Sequence, residues 1–163
     1  MIIVSDSSPL IALSDLDKLD LLQKLYGHIV IPEAVWAETV IAGREKPGRA
    51  ALFQASWISH VAVKDQSLVN YFLQELDLGE SEAIALAVEL DADFLLIDER
   101  LGREVAVRFG ITPTGIIGIL LAAKAEGLVD AIKPDLDRLR SELNFWLSDS
   151  LYLHALRLAG EDS

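Results

Sequence analysis

Short apolar runs alternate along the chain with longer amphipathic stretches. IIV at 2–4, IVI at 29–31, WISHVAV at 57–63 and FLLI at 94–97 read as strands. FLLI carries no polar position, as expected of a strand covered on both faces. Between these runs the spacing is helical. Leu16, Leu19, Leu22 and Leu25 mark one helix, and Pro32 stands at the start of another, PEAVWAETVI. LVNYFLQEL, GESEAIALAVEL, RLGREVAVRF and GIIGILLAAKAEG follow. Strands separated by helices of this length need crossover connections. The pattern therefore predicts a three-layer α/β/α sandwich with a mostly parallel central sheet. A single domain over residues 1–163 is expected, closed by C-terminal helices over 130–160.

Composition narrows the chemistry. With 163 residues and 52% hydrophobic positions the chain has ample material for a core. No cysteine is present, which excludes a disulfide scaffold and a thiolate zinc site. The start lacks a basic region and Asp6 interrupts the first apolar run, so no signal peptide is expected. The longest later apolar stretch, GIIGILLAA at 115–123, falls well short of the roughly 20 residues that span a bilayer. A cytoplasmic protein without a membrane segment is the expectation. The net charge of −12 argues against a broad duplex-binding face but not against a site that concentrates carboxylates around a cation. No stretch interleaves aromatic and basic residues as single-strand binders do.

Two aspartates share one context: Asp6 and Asp98 each end an apolar strand and precede a helix. Each is either a helix cap or a group placed at the carboxyl edge of the sheet, where parallel sheets bind ligands. Glu38 shares a helical face with Ala34, Val35, Ile41 and Ala42, which predicts a carboxylate on a buried stripe, held by an ion or by an arginine such as Arg100 or Arg103. In LGESEAIALAVEL, Gly79 reads as the break before a helix whose first turn carries Glu80 and Glu82. Glu80 lies nearer the apolar face than Glu82, though both acids also suit the helix dipole. An all-carboxylate donor set suits Mg²⁺ or Mn²⁺, and such an ion performs phosphoester hydrolysis. Ser7 and Ser8 either cap a helix or meet a metal-bound water or phosphate oxygen. Arg44, Lys46 and Arg49 in AGREKPGRA, with Arg100 and Arg103, are the candidate phosphate-steering cations, or scattered solvated charges. His28, His60 and His154 make no metal-spaced pair, and no G-x-S-x-G elbow or glycine-rich phosphate loop occurs. Phe145, Trp146, Leu147, Tyr152 and Leu156 either pack a closing helix onto the core, the favoured reading, or form a dimer or antitoxin surface.

The N-terminal run Asp6, Ser7, Ser8, Pro9, Leu10, Ile11, then LGESEAIALA and LLIDERLGREVA, in this order and spacing over about residues 1–125, resemble a PIN-domain ribonuclease, close to the VapC-like toxins of prokaryotic toxin–antitoxin systems. The resemblance aligns the acids of that family with Asp6, Glu38, Glu80 or Glu82, and Asp98. The third acid is usually Asp in VapC-like proteins, so glutamate here is a departure. Glu99 stands where a further acid often occurs, and Thr114 where the family borders its cleft. The resemblance implies a Mg²⁺- or Mn²⁺-dependent endoribonuclease acting on RNA, a homodimer, and a cognate antitoxin. The alternatives are a catalytically degenerate PIN-fold interaction module and a haloacid-dehalogenase-like phosphatase. The latter needs a second Asp two residues after Asp6, where Ser8 stands.

Overall fold

The computed structural model describes residues 1–43, 45–46 and 48–162. Five parallel strands form one sheet in the order β3-β2-β1-β4-β5. They are β1 (Ile3–Ser5), β2 (Ile29–Pro32), β3 (Ile58–Val61), β4 (Phe94–Leu96) and β5 (Pro113–Thr114). Val4 pairs with Val30 on one side and Leu95 on the other, so β1 lies at the centre. The expected α/β class and parallel sheet are therefore observed. β5 is the strand the hydrophobic pattern does not announce. It is two residues long, and its proline occupies an edge, the place in a sheet where a missing N–H is tolerated.

Alternation along the buried strands divides the core in two. Ile3, Ile29, Ile31 and Leu96 face one layer, with the leucines of α1 (Ser7–Asp15) and α2 (Asp20–Tyr26). α4 (Ala50–Gln54), α8 (Ile116–Ala125), α9 (Lys133–Ser141) and α10 (Asp149–Leu158) complete that layer. Val4, Leu95 and Ile97 face the other, with Val69 and Phe72 of α5 (Gln66–Phe72), Ile84 and Leu86 of α6 (Leu78–Leu90), and Val105 of α7 (Arg100–Arg108). A run such as FLLI is apolar throughout because both of its faces are covered.

α3 (Glu33–Trp36) runs on into a π-helical turn, Ala37–Ile41, closed by Ala42 N–H on Ala37 O at 2.9 Å. Sequence periodicity expects a uniform α-helix here. The wider turn puts Thr39 and Val40 on the buried side and leaves Glu38 exposed at the rim. The expectation that Glu38 lies on a buried stripe is thus corrected. A second correction concerns α6, which starts at Leu78 with Asp77 as its N-cap, so Gly79 lies inside the first turn rather than before it. Among the described residues no helix is long and apolar enough to cross a membrane.

Candidate active site

The chain builds outward from β1 through β2 to β3, then crosses back to add β4 and β5 on the other side. The strand order reverses between β1 and β4, and the crevice beyond their carboxyl ends is where open parallel sheets bind ligands. Asp6 and Asp98 follow those two strands. Asp6 N–H donates to Leu96 O at 2.8 Å, tying the two strand ends together.

Asp6 is 4% exposed and occupies the N-cap position of α1, but its side chain makes no cap hydrogen bond. Burial pushes its carboxyl up to about 7 against the pull of the Ser7 backbone N–H, with the charges of Asp77, Glu38 and Asp98 adding to the rise. Asp98 does not cap α7 either; Glu99 takes that place. Asp98 Oδ1 instead accepts the Ile116 N–H at 2.8 Å, in the first turn of α8. Its Oδ2 is buried without a hydrogen-bond partner. Burial raises Asp98 to about 6, opposed by the Ile116 N–H and by Arg103.

Glu80 is raised to about 8 by burial, then by Asp77 and Asp6, a hydrogen bond with the Asp77 side chain, and Glu99. Asp77 Oδ1 also accepts the Glu80 backbone N–H at 2.8 Å. Asp77 is the member of the group that sequence reasoning missed. The signal was present, since an acid three residues before Glu80 is the spacing of an N-cap pair. Glu38 joins from the π-turn: Ser7 Oγ donates to its Oε2 at 2.6 Å. A Cβ placed on Gly79 would stand 2.6 Å from Glu38 Oε1 and 3.0 Å from Oε2. Gly79 is therefore a seat for the Glu38 carboxylate. Glu82, by contrast, accepts the Ala34 N–H at 2.9 Å and so serves the first turn of α3.

A cleft of about 770 Å³ opens beside the group, and Ser8, Glu80, Asp98, Glu99, Arg100 and Arg103 are among the residues that line it. Arg103 approaches Asp98 over Gly115, where a Cβ would meet Asp98 Oδ1 at 2.6 Å and Arg103 Nη1 at 2.7 Å. Thr114 holds β5 to β4 through its carbonyl, which accepts the Ile97 N–H at 3.0 Å. Lys46 is exposed in the loop after the π-turn, and Arg44 lies outside the described residues. Arg49, grouped with them as a steering cation, is 8% exposed and bonded through Nε to Asp15 at 3.1 Å, which corrects that reading. His28 bonds Ser59 at 2.9 Å, and His60 bonds Glu33 at 2.8 Å while stacking on Trp36.

Among the described residues no group of three acidic or histidine side chains would hold a metal ion as it stands. The donor chemistry nevertheless suits a hard divalent cation. The groups are carboxylates, three of them are held above their ordinary range chiefly by burial, and one buried oxygen has no partner.

Crowded carboxylates at the switch point of a parallel sheet, beside an open cleft, are an arrangement suited to hydrolysis. Comparison with protein families matches residues 2–161 to the PIN domain, and the chain belongs to that family. PIN domains are generally nucleases. No curated protein matches the chain.

Proposed function

We propose that the chain is a Mg²⁺- or Mn²⁺-dependent endoribonuclease of the VapC-like kind, the toxin of a toxin–antitoxin pair. One observation carries the reading: Asp6, Glu38, Glu80 and Asp98, from four separate elements, meet beyond the carboxyl ends of β1 and β4, with Asp98 Oδ2 unpartnered. Asp6, Glu80 and Asp98, with Glu38, would hold the cation, which activates water and stabilises charge on a phosphodiester when bound. Ser7 Oγ fixes the Glu38 carboxylate, and Arg103 supplies a cation beside Asp98 for a phosphate oxygen. Glu82 is occupied at α3, which favours Glu80 as the third acid. The toxin role, a cognate antitoxin and a homodimer extend the family resemblance.

Calorimetric titration with Mn²⁺, run on wild type and Asp98→Asn together with cleavage of single-stranded RNA and DNA, tests the proposal. Wild type should bind the ion and cut RNA. Asp98→Asn should lose cleavage by on the order of 100-fold or more, the scale set by losing one electrostatic partner of the transition state. Metal-stimulated cleavage retained in Asp98→Asn would refute the site assignment. If neither protein binds Mn²⁺, the interaction-module reading replaces the nuclease. Induced expression in a bacterial host should arrest growth with wild type only, and sedimentation reports the dimer.

A further inference from the structure

The cleft continues past the carboxylates to an apolar wall that includes Leu121 of α8, Leu151 of α10 and Trp146 of the loop between α9 and α10. That loop is anchored. Leu147 is 7% exposed, Phe145 packs on the core, and Phe145 N–H donates to Leu139 O at 2.9 Å. Trp146, between these two anchors, is 83% exposed, which corrects the expectation that it packs a closing helix. The fold thus holds the backbone on both sides of the indole while leaving the ring in solvent at the rim of the cleft.

The same cleft is lined by Arg100 and Arg103 of α7. The Arg100 side chain is 91% exposed and makes a surface pair with Glu104. A free aromatic face and exposed cations along one groove are the two components of single-strand recognition. No stretch of sequence shows that combination, because the arginines and the tryptophan lie more than 40 positions apart and meet only in the folded chain.

We propose that Trp146 is a stacking platform for one unpaired nucleobase of the substrate strand, with Arg100 and Arg103 meeting its phosphates. The proposal rests on the ribonuclease reading and adds a specificity to it: the strand must be single, since a paired base offers no free face at this position. The cleft volume of about 770 Å³ lies in the range of roughly 300–1,000 Å³ typical of small-ligand clefts, room for a nucleoside. Continuity with the acidic group and the presence of arginines favour a nucleotide over an apolar protein segment.

Tryptophan emission, followed in chelator while a single-stranded oligouridylate is added, tests this without any cleavage. The chain has three tryptophans, so Trp146→Phe identifies the share of the signal due to Trp146. Wild type should be quenched by the single strand, but not by the same strand carrying abasic residues or by its duplex. Trp146→Ala should weaken binding by about 5- to 150-fold, the span of one base–aromatic stack, and Trp146→Phe should restore most of it. Equal affinity of wild type for the abasic strand, or unchanged affinity in Trp146→Ala, overturns the proposal. So does a blue shift of Trp146 emission with protein concentration in the absence of any RNA quench, since a second copy then covers the ring. Failure of the nuclease reading looks different: quenching persists, but no RNA is cut when Mn²⁺ is supplied.

Discussion

At the residue scale, the site is governed by close approaches that leave no room for ordinary side chains. Gly79 faces the Glu38 carboxylate at a distance where a Cβ cannot fit. Alanine is the better helix former by about 1 kcal/mol, so Gly79→Ala should hold or raise the melting temperature. The displaced atoms are the end of a flexible side chain, and the same substitution should lower metal-stimulated cleavage by pushing Glu38 out of place. Parallel melting and cleavage assays separate the two effects. Asp98→Asn makes the complementary test. Its Oδ1 still accepts the Ile116 N–H, so melting should change little while Mn²⁺ affinity collapses. A large fall in melting temperature would mean that Asp98 serves the fold instead.

At the scale of elements, helix termini carry the arrangement. α6 begins with Asp77 as its cap and delivers Glu80 to the cleft, whereas Glu82, two residues on, reaches back to the first turn of α3. Removing that contact in Glu82→Ala should cost about 1 kcal/mol of stability, as for other lost helix caps, seen as an earlier urea midpoint. Cleavage per folded molecule should fall far less than in Glu80→Gln. Glu80→Gln dissects the opposite role, losing metal response with a stability that holds or rises. The four strands with apolar runs were legible in the sequence, as were most of the helices between them; α4 was not, and Leu16 and Leu19, read as the start of a helix, lie in the turn between α1 and α2. The π-turn was not, because a single extra residue per turn leaves hydrophobic spacing almost unchanged while moving Glu38 from the buried face to the rim. β5 was not legible either, since two residues including Pro113 present no pattern.

At the scale of the whole molecule, a few of the chain's many acids are crowded and buried together at the sheet edge, and pH should expose this. Asp6, Glu80 and Asp98 have folded-state values of about 7, 8 and 6, all above their ordinary range. The folded state therefore holds protons that the unfolded chain has already released. Stability from this group is fully present below about pH 4 and is lost as pH rises from there through the folded values of about 6, 7 and 8 in turn. Melting of the metal-free protein should accordingly fall between about pH 4 and 8, and Asp98→Asn should remove part of the fall below about pH 6. Added Mn²⁺ should stabilise wild type more at pH 8 than at pH 6, because only the ionised carboxylates bind it. A cation benefit independent of pH would place the ion elsewhere.

The alternation of strands and helices, the covered faces of the sheet and the position of Asp6 and Asp98 at strand ends were already determined by the sequence, because each depends on neighbours a few positions away. Periodicity and strand ends are local properties of the chain. Tertiary structure alone decided which groups meet. The return of the chain past β1 to β4 puts Asp6 beside Asp98, the first turn of α6 adds Asp77 and Glu80, and Ser7 receives Glu38 from a π-turn. It also sent Arg49 to Asp15 and brought Trp146 to the cleft that Arg103 lines. Local spacing contains no information about such contacts, because the distance between residues remote in sequence is set by crossover paths and packing, not by the chain between them.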